Sequence, residues 1–287
     1  MRLSDLPIIS DDLRILVDGD FTSLGLLVTK SDEKILSFIE DEKYLTLLAN
    51  NNSISCMITS EELVGRLREV ATDIGVLIAP NPREAFFKIH EYLLKETDFY
   101  FSLVPTHILS NSYIHPSADI SSYNVQIGEN CRIEQNVVIK RNVYIGNNVY
   151  IGPGTIIGGD GFECFRSNDR IINVEHAGGV IIKNNVNIHA NVCIDKGLFK
   201  NFTLIEEFCS IDNLVHIAHN VQIGKRTRIA ANAVVSGRTV VGHDVWIGPS
   251  VTISNGIEIG DGSSLTMGSI ITKSVPPGKT VMWKLSF

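Results

Sequence analysis

The chain has 287 residues and a formal net charge of −7, with 25 Lys+Arg against 32 Asp+Glu. Aromatics make up only 7% while hydrophobic residues reach 44%, so the apolar content is aliphatic, rich in Ile and Val, and leans towards strand. The acidic balance argues against a nucleic-acid partner, no apolar run approaches the roughly 20 residues of a membrane span, and residues 1–12 carry no secretion signal, which together point to the cytoplasm. The five cysteines form no CxxC and are odd in number, as expected of reduced thiols.

Residues 1–105 read as a small α/β domain. Short apolar runs at 15–17, 26–28, 54–58 and 76–78 alternate with helical segments. One helix is well signalled. Asn81 suits an N-cap, Pro82 the first helical position and Glu84 a capping-box acid. Phe86, Phe87, Ile89 and Leu93 then follow on a helical period. Residues 106–113 are expected to be a connector.

From residue 114 onward large aliphatics recur every six residues. Ile114 and Ile120 open the series. After one inserted residue come Ile127, Ile133, Ile139, Ile145, Ile151 and Ile157. An interruption at 158–179 is followed by Ile182, Ile188 and Ile194. After a slightly shortened spacing, twelve hexads run from Ile205 to Ile271 without a slip. Four residues after each anchor of that run stands a residue small or β-branched enough for an interior, from Cys209 to Val275. The period is too long for a helix and too regular for an ordinary sheet. It is the mark of a β-helix in which three hexads close one coil of 18 residues. The polar, glycine-rich break at 158–179 maps to a loop on one face.

A stacked solenoid has few pockets of its own, so unusual polar residues in the repeat are the candidates for chemistry. The segment from Ile211 to Gly224 carries Asp212, Asn213, His216, His219 and Asn220. A neutral imidazole is the usual general base near pH 7. Residue i+18 lies one coil above residue i, which puts Gly237 above His219. A residue without a side chain there lets a substrate approach the backbone, whose N–H could stabilise an oxyanion. Gly237 could equally be a corner glycine with φ > 0. Asp212, seven residues back and one corner away, could orient the imidazole.

Residues 114–275 resemble the hexapeptide-repeat acyltransferases. Several blocks resemble, more narrowly, the UDP-3-O-acylglucosamine N-acyltransferases of lipid A biosynthesis. These are Asp160-Gly161-Phe162, His176 through Val180, Ile194 through Gly197, and the ten residues from Ile211 to Asn220. Phe38 through Tyr44 and Asn81-Pro82 extend the likeness into the first half. The resemblance implies a left-handed parallel β-helix behind a small α/β domain that binds a nucleotide sugar. It implies a homotrimer with sites between neighbouring β-helices, and a thioester co-substrate, acyl-CoA or acyl carrier protein, with no bound cofactor or metal. His219 matches the family's base, Asp212 its associated carboxylate and Gly237 its oxyanion donor. Phe38 and Tyr44 match the aromatic pair around the nucleotide base, with Asp41 at the base edge.

Three departures stand out. The family commonly has Asn where this chain has Asp41, and an ionised Asp only accepts hydrogen bonds. A second family histidine is replaced by Gly256. The sequence given ends at Phe287, soon after Pro276-Pro277-Gly278, and the family's C-terminal helical extension is expected to be absent. The expected activity is N-acylation of a nucleotide-linked amino sugar. A CoA-dependent dTDP- or UDP-amino-deoxysugar enzyme is preferred over UDP-3-O-(3-hydroxyacyl)glucosamine N-acyltransferase. Two other classes compete. One is a zinc hydratase resembling the γ-class carbonic anhydrases, with His189, His216 and His219 as ligands. The other is a purely scaffolding solenoid.

Overall fold

A computed structural model of the chain describes residues 1–7 and 12–282. They form two compact units. One contains Met1–Ser102 with Glu163–Glu175, and the other Leu103–Phe162 with His176–Phe287.

The first unit is a five-stranded sheet with helices. Its strands are β1 (Arg14–Val17), β2 (Ser23–Leu24), β3 (Ile35–Phe38), β4 (Ile54–Thr59) and β5 (Gly75–Ile78), in spatial order β1-β5-β4-β3-β2. β2 through β5 run parallel and β1 is antiparallel to β5. Helices α1 (Leu45–Ala49), α2 (Val64–Val70) and α3 (Pro82–Lys95) complete it. The apolar run at 26–28 is not a strand. Thr29 accepts from Leu26 N–H through its hydroxyl and returns its own N–H to Leu26 O, closing a turn that leaves Val28 exposed. The N-cap and Pro82 signals for α3 hold, whereas Glu84 closes no capping box: its carboxylate accepts from Ser167 and from the Asn81 side-chain amide at 3.4 Å instead. Asn81 accepts from Glu84 N–H at 3.0 Å, and Phe86, Phe87, Ile89 and Leu93 are all buried.

The second unit is a coil of parallel strands in three sheets of nine, eight and eight. Partners in its upper part are 18 residues apart, as in Ile229↔Ile247 and Val235↔Ile253. This is the parallel β-helix that the hexads require, in the left-handed form that the resemblance implies. All twelve anchors from Ile205 to Ile271 are at most 3% exposed. Their partners four residues on are buried too, except Ile257, which is partly buried. Each stacked Ile side chain is worth on the order of 1.5–3 kcal/mol of transfer free energy.

Corners set the rest of the pattern. Three residues after each anchor from Ile205 to Leu265 the backbone turns through the left-handed region, at Phe208, Leu214, Asn220, Arg226, Asn232, Arg238, Asp244 and Ser250, and finally at Gly256, Gly262 and Gly268. Lower in the coil the same place is mostly Asn, the residue whose short amide best tolerates that conformation.

The coil begins earlier than the hexad count suggests. His107–Ile108, inside the expected connector, is already a rung, paired with Gln126 and Ile127. Two excursions interrupt the stack. Across the first, Ile151 pairs with Ile188, and the extra residues hold a hairpin of Cys164–Ser167 against Arg170–Asn173. That hairpin packs with the first unit. Phe165 stacks on Phe87 at 5.1 Å, Ser167 donates to Glu84, and His90 Nε2 meets Glu175 O at 2.7 Å. The second excursion is short. Ile188 pairs with Ile211, five residues beyond one plain coil. What looks like a shortened spacing between Ile194 and Ile205 is therefore a small loop added to one hexad.

Candidate active site

One eight-stranded sheet of the coil stacks Ile156–Gly159, Cys193–Asp195, His216–Ile217 and Val234–Val235 in successive turns. The polar residues collect at the corner where these strands end. Going up the stack they are Gly159 and Asp160, then Asp195 and Lys196, then His219, then Gly237. The parallel register places them, since each lies one or a few positions after an inward-facing anchor.

His219 is 7% exposed and lies between two glycines. A Cβ on Gly237 would stand 2.7 Å from His219 Nε2, and one on Gly161 would stand 2.9 Å from Cδ2. Gly237 does not have positive φ; the left-handed corner residue is its neighbour Arg238. The corner-glycine explanation thus fails, and contact with the imidazole is what excludes a side chain at 237. Among the described residues the Gly237 N–H has no hydrogen-bond acceptor, while its carbonyl accepts from Gly256 N–H at 3.0 Å. The expected stacking of His219 under Gly237 is present.

The orienting group is not the one anticipated. Asp212 accepts from the Asn213 backbone at 2.8 Å and the Asn213 amide at 2.7 Å, at another corner of the coil. His219 Nδ1 instead lies 3.2 Å from Asn220 Oδ1. That oxygen also accepts from Leu198 N–H at 3.1 Å, which identifies it as the acceptor end of the amide. The contact is favourable when Nδ1 carries the proton, leaving the Nε2 lone pair towards Gly237. Asn220 is itself held, its N–H donating to Thr203 Oγ1 at 2.9 Å. Leu198 lies in the short loop added after Ile194, and Thr203 in the strand Phe202–Ile205 that follows it.

Further groups were invisible as a cluster in the sequence. His176, 1% exposed, meets the His219 ring at 5.2 Å in a T-shaped arrangement. Its backbone N–H donates to Asp160 Oδ1 at 2.8 Å, and Lys196 Nζ is 3.2 Å from the same oxygen. Asp195 is 8% exposed, and burial first, then the Asp160 charge, raises its pKa to about 7. His216 Nε2 lies 3.6 Å from Asp195 Oδ2. Burial and the neighbouring His219 lower the His216 pKa. His216 is shifted towards its neutral form and Asp195 is only about half ionised at pH 7, so the approach is not a formed ion pair there. The 18-residue stacking rule could have linked His219 to Gly237. It could not have linked either to His176 or Asp195, because both excursions break the count between them.

The residues matched to nucleotide recognition lie in the first unit. Phe38, at the end of β3, packs on Phe86 at 5.0 Å and Phe87 at 6.2 Å, with the Arg83 guanidinium 5.6 Å from its ring. Asp41 caps a short 3-10 helix, Glu42–Tyr44, and accepts from Lys43 N–H. Its carboxylate lies 2.8 Å from Lys43 Nζ, which holds its pKa below the usual range. Tyr44 is 42% exposed, with Lys43 Nζ 4.8 Å from its ring. They share the region at the C-terminal ends of the parallel strands, where open α/β sheets place ligands.

A zinc site does not fit this arrangement. His189 follows Asn187–Ile188 in a different sheet from His216, beside Tyr150. Among the described residues no three His, Cys, Asp or Glu side chains gather as metal ligands. No described helix is long and apolar enough to cross a membrane.

Residues 124–159, 202–237 and 238–273 match the family model for the bacterial transferase hexapeptide (six repeats). The chain is 33% identical over 260 residues to UDP-3-O-acylglucosamine N-acyltransferase 2 of Legionella pneumophila (strain Paris), covering 78% of this chain and 71% of that one. Among solved structures it is similar to UDP-N-acetylglucosamine acyltransferase from Campylobacter jejuni, with a TM-score of 0.49, 22% identity, and 59% of this chain and 69% of that one covered. It is also similar to a mutant of perosamine N-acetyltransferase from Caulobacter crescentus in complex with CoA and GDP-perosamine, with a TM-score of 0.26, 16% identity, and 86% and 80% covered. The identity and coverage shared with the Legionella protein, together with the repeat match, place the chain in the hexapeptide-repeat acyltransferases, in the family of UDP-3-O-acylglucosamine N-acyltransferase.

Proposed function

We propose that the chain transfers an acyl group from a thioester, acyl-CoA or acyl carrier protein, to the amine of a nucleotide-linked amino sugar. The observation that carries this reading is the imidazole of His219, with Nδ1 turned to Asn220 Oδ1 and Nε2 2.7 Å from where a Cβ on Gly237 would stand, beside a Gly237 N–H that has no acceptor among the described residues. The neutral amine attacks the thioester carbonyl. The Gly237 N–H stabilises the tetrahedral oxyanion. His219 Nε2 takes the proton released by the attacking nitrogen and returns it to the departing thiolate. Phe38, Asp41 and Tyr44 recognise the nucleotide base, with ionised Asp41 accepting a base N–H. Asp212 has no part in this chain's own proton path.

The working form is a homotrimer in the cytoplasm, with the β-helices side by side, because a convex solenoid surface encloses a substrate only against a neighbour. The Legionella relative's name supports UDP-3-O-acylglucosamine as acceptor. Asp41 and Gly256 favour instead a CoA-dependent enzyme acting on a dTDP- or UDP-linked amino-deoxysugar. The test is thiol release from each donor with each acceptor, for the wild-type protein and a His219→Ala variant that keeps the wild-type oligomeric state. We expect turnover with one donor–acceptor pair and a loss of about 10²–10⁴-fold in the variant. Near-wild-type turnover by the variant would remove His219 as base.

A further inference from the structure

Asp195 is a buried titratable group at this corner that the proton path above leaves without a task. It ends the strand Cys193–Asp195, one coil below His219. Among the described residues the only cation-forming group within 4.0 Å of its carboxylate is His216, at 3.6 Å. The neighbouring carboxylate, Asp160, is already matched by Lys196 at 3.2 Å and by the His176 backbone N–H. The Cys193 thiol on the same strand is pushed up by burial and by the Asp195 charge, so it adds no negative charge at neutral pH. The corner therefore holds one buried carboxylate that lacks a fixed cation, beside a base that can accept only one proton at a time.

Resting on the function proposed above, acyl transfer to an amine has a proton problem that this carboxylate solves. In neutral water the acceptor is mostly an ammonium ion. It must lose one proton to expose its lone pair and a second as the amide forms. We propose that Asp195 receives the acceptor's ammonium group and takes its first proton, making this corner selective for amine over hydroxyl acceptors. In the first step the N–H bond breaks, its electron pair stays on nitrogen and the proton passes to the carboxylate, giving a neutral amine and a neutral acid. The acid then returns that proton to water. In the second step the lone pair attacks the thioester carbon, His219 takes the second proton, and the C–S bond breaks with that proton delivered to sulfur. Burial supports the first step. It brings the Asp195 pKa to about 7, close to the roughly 8 of an amine flanked by electron-withdrawing groups, as in an α-amino group and in a 2-amino sugar, so the transfer is biased by only about tenfold. An unburied carboxylate near 4 would hold the ammonium and never deprotonate it.

The test uses an acceptor that the wild-type protein turns over, UDP-3-O-acylglucosamine or a dTDP-linked amino-deoxysugar. For Asp195→Asn we expect the acceptor KM at pH 7 to rise at least tenfold while the donor KM holds, and the penalty to fade towards pH 9, where the amine is already neutral. A purely structural role would lower kcat at every pH and move both KM values. A second measurement needs only the wild-type protein, namely calorimetric binding of the same nucleotide sugar with hydroxyl in place of amine. We expect at least tenfold weaker binding at pH 7, and proton release on binding the amine form alone. An acceptor KM within twofold of wild type in Asp195→Asn, a penalty independent of pH, or equal affinity for the hydroxyl analogue would overturn the role of Asp195. Absence of acyl transfer by the wild type with every donor and acceptor would instead overturn the function itself.

Discussion

Gly237→Ala separates contact with the imidazole from backbone need. Gly237 has no positive φ, so Ala is tolerated by the backbone and the perturbation is a single methyl group. That methyl would sit 2.7 Å from Nε2, 2.9 Å from Cε1 and 3.1 Å from Cδ2 of His219. Ordinary van der Waals contact begins near 3.4 Å, so the ring must retreat by roughly 0.7 Å. Its other side is closed by Gly161 and His176, so retreat means tilting away from Asn220 Oδ1 and from the N–H of residue 237. A misplacement of about 1 Å costs on the order of 10²-fold in rate, and loss of an oxyanion donor about 10²–10³-fold. Overpacking of this kind costs about 1–3 kcal/mol of stability. The assay is thiol release under saturating donor and acceptor, paired with thermal unfolding. The expected result is kcat down by about 10²–10³-fold in a protein that still unfolds cooperatively. Gly256→Ala is the control. Its φ of 68° makes Ala strained, but nothing lies within 4 Å of the new methyl, so stability falls by about 1 kcal/mol and kcat holds. A folded Gly237→Ala protein with kcat within threefold of wild type would refute the role of this contact.

Asn220→Asp places a carboxylate at His219 Nδ1 and stabilises the imidazolium, so the acidic limb of the pH–rate profile should move to higher pH; a profile superimposable on wild type would show that Asn220 does not hold the ring. Ile223→Ala, in the middle of the stack and 1% exposed, should cost about 2–5 kcal/mol in urea unfolding, whereas Val240→Thr, 44% exposed, should cost less than about 0.5 kcal/mol. Asp195 binds its proton more tightly folded than unfolded, from near 4 up to about 7, so across that window native stability falls as pH rises. Asp195→Asn should therefore be more stable than wild type at pH 8 and equal to it near pH 4, read from midpoints of urea unfolding at both pH values. Cys56 and Cys209 are buried thiols pushed up to about 11, so iodoacetamide at pH 8 should leave them unlabelled until the chain unfolds.

The β-helix was legible in the sequence because stacking imposes a strict period on every coil. An anchor that slips by one residue turns a branched side chain from the interior to water, so Ile205 through Ile271 record the fold directly. The α3 start was legible for a similar local reason, since Asn81 and Pro82 act on neighbouring backbone groups. The same rule placed His219 beneath Gly237 from residue numbers alone. The run at 26–28 misled because apolar character does not distinguish a strand from a turn closed by Thr29.

The environment of His219 was decided by tertiary structure. The two excursions add residues that no period counts, so sequence distance stops predicting spatial distance across them. They bring Gly161 and His176 against the imidazole from one side, and Leu198 and Thr203 onto Asn220 from another. Asp212 is near in sequence but sits at a different corner, whereas Asn220, adjacent in sequence, is turned towards Nδ1 by its left-handed φ of 61° and those two hydrogen bonds. Asp195 shows the same division. Its position after Ile194 marks it only as a polar residue beyond an anchor, and its raised pKa comes from burial beside Asp160, which lies across the longer excursion. Periodic packing is a local constraint repeated, so the sequence states it outright. A reactive group's proton affinity depends on what the folded chain stacks around it, and that was settled only when the coils closed.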